Sequence, residues 1–119
     1  MERRWPGWVY DEGDEPDPRF SFANERTYLA WVRTALALLA GGVAIQALPL
    51  DIHPTARRVL SLFLILVAMV AVSVGWLRWA RSERAMRLGA KLPGSVISAF
   101  LAAAVVVAAL VVLILVTFA

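Results

Sequence analysis

The chain has 119 residues, 61 % of them hydrophobic and 18 % charged, with no cysteine and a formal net charge of +3. A water-soluble domain this short exposes much of its surface, so this composition would leave contiguous apolar patches in water; it excludes an ordinary soluble fold and points to a bilayer. The missing cysteine excludes a disulfide framework, a thiolate metal site and a cysteine nucleophile.

Residues 1–19 form an acidic, proline-rich segment containing Pro6, Gly7, Gly13, Pro16 and Pro18 and the acids Asp11, Glu12, Asp14, Glu15 and Asp17. Such a segment has little to bury, which predicts a disordered cytosolic tail. Arg3 and Arg4 are followed by acids and proline rather than by an apolar run, so they do not form a secretory or twin-arginine signal.

Residues 20–119 predict a three-helix membrane domain, with helices near 21–48, 58–86 and 94–118, and the fold class is all-α integral membrane. The uncharged part of the first, 34–50, is interrupted by Gln46 and Pro49; reaching the roughly 20 residues a bilayer needs means starting near Thr27, which draws Arg33 into the helix. The second has no charge over 59–77, and the third is an uncharged Val/Ala/Leu run over 95–119, introduced by Pro93 and Gly94. The β-branched residues do not make these runs strands, because an open strand in lipid leaves its backbone groups unsatisfied.

Basic residues set the orientation. Arg3, Arg4, Arg19, Arg26 and Arg33 precede or open the first helix, and Arg78, Arg81, Arg84, Arg87 and Lys91 follow the second; the other connection has only Arg57 and Arg58. Ten basic residues against two place the N-terminus in the cytosol and the C-terminus outside a bacterial inner membrane. Tyr28, Trp31, Trp76 and Trp79 then fall at one interface, where amphipathic rings prefer to sit.

Helical spacing places Arg26, Ala30, Arg33, Ala37, Gly41, Ala44 and Leu48 along one stripe. Ala68, Ala71, Gly75 and Arg78 share a stripe of the second helix, and Ser95, Ser98, Ala102 and Ala109 share one of the third. Small residues let helices approach closely. If Ala37, Gly41, Ala44, Ala71 and Gly75 face one another, within or between subunits, then Arg26, Arg33 and Arg78, with Arg81 one turn beyond, converge as a cytosolic anion site. Arg33 is the sharpest candidate, since a charge at the centre of a span costs about 2.5–3.5 kcal/mol on insertion scales. Arg81, Arg84 and Arg87 lie past the apolar span and also read as headgroup contacts that enforce topology, with Glu83 four residues before Arg87 in position to pair with it. Glu25 reads as an internal partner of the arginines near the bundle mouth.

His53 has no second ligand nearby, so no metal site is expected; Gln46 reads as a helix or water contact and Asp51 as a turn cap. There is no nucleophile and base set, membrane carboxylate pair or glycine-rich phosphate loop, so neither an enzyme nor a cofactor is expected.

The segment Phe22-Ala-Asn-Glu-Arg-Thr-Tyr-Leu-Ala-Trp-Val-Arg-Thr34 resembles the opening of the YidH-like family of small bacterial inner-membrane proteins, the domain of unknown function 202. It is also similar to the membrane domain of the eukaryotic vacuolar transporter chaperone complex, which makes and translocates polyphosphate. Asn24, Glu25, Arg26 and Thr27 match the family's box, Trp31 matches the aromatic that follows, and Arg33 fits the bacterial pattern Ala-Trp-x-Arg-Thr. The resemblance implies an oligomeric ring of three-helix subunits in which basic residues on the first two helices line a conduit for a polyanion, with any synthesis left to separate partners; for this chain the expectation is a homo-oligomer that binds or passes an anion such as phosphate or polyphosphate. The alternative is an accessory subunit whose arginines hold anionic lipid headgroups and whose small-residue faces recruit another membrane protein. No nucleic-acid partner is expected.

Overall fold

A computed structural model describes residues 4–92, 94 and 96–118; Arg3, Pro93, Ser95 and Ala119, invoked above, lie outside them. The described residues form four helices: α1 (Gly7–Tyr10), α2 (Pro18–Ala47), α3 (Pro54–Leu88) and α4 (Val96–Thr117). The last three are long and apolar enough to cross a membrane.

Local chemistry fixes their ends. The Asp17 side chain caps α2 by accepting the Arg19 N–H at 2.9 Å, with Pro18 in the first turn, where its missing N–H costs nothing. The Arg19 guanidinium also donates to Asp17 at 2.9 Å, and this bond, then the backbone one, holds the carboxyl below its ordinary pKa. His53, not Asp51, caps α3, its Nδ1 accepting the Thr55 N–H at 3.1 Å. Gly89 ends α3 in the left-handed conformation at φ 66°, which glycine adopts without a Cβ penalty.

The 35 residues of α3 span about 52 Å, well beyond a hydrocarbon core of about 30 Å, so its last turns form a polar platform. α2 runs antiparallel against α3, as shown by Asn24 meeting Trp79 and Glu83, Trp31 meeting Gly75, and Gly42 meeting Ser61. Trp31 lies so close to Gly75 that an added Cβ would stand 2.6 Å from the Trp31 Cβ. Farther along, the Ser61 hydroxyl donates to the Gly42 carbonyl at 2.7 Å.

The contact face is displaced by one residue from the expected stripe. On α2 it carries Trp31, Ala35 and Gly42, whereas Ala37 is exposed and Gly41 and Ala44 are only half-buried. Small residues permit close approach but do not choose the register; the Trp31 ring seated on Gly75 and the Ser61 bond to Gly42 do. On α3, Ala68, Ala71 and Gly75 are buried. α4 turns Leu101 and Ala108 toward the pair, leaving Ser98, Ala102 and Ala109 exposed, again one position round from the expected face.

The larger correction concerns the tail expected to be disordered. From Arg4 to Asp17 it folds back onto the end of α3, with Val9 fully buried. The Arg87 side chain, 6 % exposed, donates to the Tyr10 carbonyl and the Glu12 carbonyl at 2.8 Å each and to Glu15 at 3.2 Å. The Asp14 N–H in turn donates to the Arg87 carbonyl at 3.0 Å. Gly13 makes that approach possible: at φ 61° and with an added Cβ only 2.0 Å from the Arg87 oxygen, no other residue fits. The composition is that of a solvated segment, but the buried Arg87 guanidinium, with Arg84 donating to the Trp8 carbonyl at 3.1 Å, gathers enough of its oxygens to order it.

Candidate functional site

Where α2 and α3 meet at the basic end, their side chains enclose an open cleft of about 270 Å³. Asn24, Thr27 and Trp31 of the box segment line it from α2, and Arg78, Trp79 and Ser82 line it from α3. Phe20, Tyr28, Met86 and Leu92 complete mainly apolar walls. Arg78 is half-buried, its guanidinium donating to the Ser98 hydroxyl of α4 at 3.2 Å and lying 6.0 Å from the Trp31 ring centroid, within cation–π range.

Asn24 and Trp79 tie the cleft to a neighbouring polar clamp. Glu83, 4 % exposed, accepts the Ser21 hydroxyl at 2.7 Å and the Asn24 amide at 3.2 Å, while the same amide donates to the Trp79 carbonyl at 3.0 Å. Asn24 therefore joins the two helices, and Thr27 is turned inward on its own helix, donating to the Ala23 carbonyl at 3.1 Å. The expected pairing of Glu83 with Arg87 is absent: four residues apart on one helix, they turn to different neighbours, Glu83 to α2 and Arg87 to the tail.

The arginines expected to converge do not do so within one subunit. Arg33 lies two residues from Trp31 and two from Ala35, both buried against α3, so it stands roughly 160° round the helix from that seam and is exposed. Arg26 is exposed as well, as is Arg81 one turn beyond Arg78. Glu25 is exposed, and none of the ion pairs among the described residues includes it. Among the described residues no cluster of His, Asp or Glu is placed to hold a metal ion.

Ser21, Glu83 and Arg87 are the residues sequence reasoning passed over as a site. One clue was available: Glu83 is the single acid among five bases in residues 78–91. Behind the clamp, Tyr10 of the tail packs 6.3 Å from Trp79, which also forms a wall of the cleft. Burial, then the nearby Glu83 charge, pushes the Tyr10 phenol above its ordinary pKa, partly opposed by Arg4 and Arg87.

Residues 19–85 match the family described as Domain of unknown function (DUF202). The chain belongs to this family. It is 51 % identical to Inner membrane protein YidH of Escherichia coli (strain K12) over 82 residues, covering 68 % of this chain and 71 % of that one. It is 47 % identical over 103 residues to an uncharacterized protein of Mycobacterium tuberculosis (strain H37Rv), covering 86 % of this chain and 84 % of the relative. No solved structure matches the chain. The DUF202 region contains α2 from Arg19 and α3 as far as Ala85, hence the clamp and all of the cleft except Met86 and Leu92; α1 and α4 lie outside it. An all-helical chain with three apolar spans fits the inner membrane named for its Escherichia coli relative.

Proposed function

We propose that this chain is a small inner-membrane module, assembled from several copies, that binds a phosphate-bearing anion at its basic end, which faces the cytosol. The observation that carries the reading is Arg78: a cation held in a preformed cleft beside the box residues Asn24 and Thr27 and the Trp31 that follows them, with α4 attached through Ser98. Its guanidinium has five donors in a planar fork, suited to phosphate oxygens, and only one described partner. Arg26 and Arg33, exposed on the far side of α2, then belong to the surface between copies, where several subunits would bring them together around a shared anion path. A phosphate group is the shared chemistry of the ligands this reading admits, whether phosphate, polyphosphate or a lipid headgroup, and the chain acts as a binding module rather than an enzyme.

Native mass spectrometry of the protein released from nanodiscs tests both halves. The expected result is a closed oligomer retaining phosphate-containing adducts that Arg78→Ala loses. Monomers without adducts would overturn it. Orientation is testable because the chain has no cysteine: a single cysteine introduced into the tail is expected to react with membrane-impermeant maleimide only after spheroplasts are opened.

The exposed Arg26, Ala30, Arg33 and Ala37 also favour a second reading, an accessory subunit that offers this face to a different membrane protein. In that case Arg33→Ala leaves anion retention intact and removes a partner from a pull-down.

A further inference from the structure

The Arg78 cleft has walls that a small inorganic anion does not need. Phe20, Trp31, Met86 and Leu92 present hydrocarbon to its interior, and among the described residues one guanidinium is the only cation lining it. A polyanion gains affinity from successive cations, and this cleft offers none after Arg78. The remaining polar groups are few: Asn24 is held by Glu83 and Trp79, and Thr27 by the Ala23 carbonyl. The Ser82 hydroxyl lines the same cleft and makes no hydrogen bond to another described residue. The site thus combines one cation and the Ser82 and Tyr28 hydroxyls with mainly apolar walls, at the level where the apolar stretch of α3 gives way to its basic turns.

From this we infer that the ligand of the Arg78 cleft is a membrane lipid bearing a single phosphate, its phosphate on Arg78 and Ser82 and the start of its hydrocarbon against Trp31 and Leu92. The inference rests on the reading of Arg78 as an anion site and narrows its ligand to a phospholipid. Charge complementarity names the headgroup, the apolar walls name the rest, and the small volume admits the headgroup region while the acyl chains stay in the bilayer.

The test is native mass spectrometry of the full chain in detergent, titrated separately with dioleoyl phosphatidic acid, inorganic phosphate and tripolyphosphate. Phosphatidic acid is expected to bind one per chain, with tripolyphosphate failing to displace it. Arg78→Ala is expected to weaken it about tenfold or more, the loss of a charge-assisted hydrogen bond. Arg78→Lys retains part of the binding, Ser82→Ala reduces it a few-fold, and Arg58→Ala, exposed at the opposite end of α3, leaves it unchanged; circular dichroism confirms that each variant is folded. Tripolyphosphate or phosphate binding at Arg78 in place of the lipid would overturn the lipid assignment while leaving the anion site standing. Lipid binding indifferent to Arg78→Ala and Arg78→Lys overturns the placement, and wild-type protein that binds none of the three probes overturns both readings.

Discussion

The α2–α3 pair and α4 are held in different ways. Between α2 and α3 the seam is specified along its length, by the clamp of Ser21 and Asn24 on Glu83, the Trp31 ring on Gly75, and the Ser61 hydroxyl on the Gly42 carbonyl. α4 has one described side-chain bond to the pair, Arg78 to Ser98, and otherwise leans on α3 through Leu101 and Ala108 with most of its large side chains exposed. The region matched by the DUF202 family ends at residue 85 and contains the specified seam, not α4. The difference teaches that the hairpin is the rigid frame of the cleft, whereas α4 is the element whose remaining surface is free for lipid or another copy.

The largest effect is expected at the tightest point of that frame. Gly75→Ala puts a methyl 2.6 Å from the Trp31 Cβ, which the antiparallel seam has no room to absorb. It should cost about 1–3 kcal/mol by overpacking, read as a lower unfolding midpoint in detergent. Ala102→Leu on exposed α4 should stay within about 0.5 kcal/mol. Equal effects at the two positions would remove the distinction between frame and appended helix.

Next comes the clamp. Glu83→Ala leaves the Ser21 hydroxyl without its partner and the Asn24 amide with only the Trp79 carbonyl, in a part-buried setting. Loss of about 1–3 kcal/mol is expected, and since Glu83 is bonded to α2 rather than to Arg87, Arg87→Ala should not reproduce it. A double-mutant cycle between Asn24 and Glu83 sharpens the point: clear coupling there, none between Glu83 and Arg87.

Much of this architecture was legible in the sequence because lipid leaves few choices. Three uncharged runs must be helices, and short connections make neighbours antiparallel. The residues of one stripe were legible too, but not which neighbouring stripe would face inward. A step of one residue is only about 100° of rotation, and that choice was made by pairwise fits invisible to periodicity, Trp31 into Gly75 and Ser61 onto Gly42. In the candidate site, Arg78, the box residues Asn24 and Thr27, and Trp31 share the cleft, but Arg26 and Arg33 share only a helix with it. The tail escaped composition altogether, since its order depends on a cation 72 residues or more away in sequence.

That tail supplies a smaller effect, separable from the frame. Arg87→Ala removes the guanidinium that gathers the Tyr10 and Glu12 carbonyls and the Glu15 carboxylate, so residues 4–17 should lose amide protection and become open to protease. The unfolding midpoint of the α2–α3 pair should move little, because Arg87 makes none of the clamp's bonds. A large fall in that midpoint would mean that the tail is part of the frame.

The smallest effect is one of pH. Tyr10 has its pKa raised above 10.0 in the docked state, first by burial and then by Glu83, so the docked tail keeps a proton that an undocked tail gives up. The resulting contribution to docking is fully present below that ordinary value and is lost as pH rises through it toward the raised one. Hydrogen exchange of residues 4–17 should therefore accelerate above pH 10 more in the wild type than in Tyr10→Phe, which keeps the ring against Trp79 and the backbone carbonyl bonded to Arg87 but has no phenol to ionise. Parallel acceleration in the two proteins would assign the alkaline loosening to another group and remove Tyr10 from the account of what holds the tail.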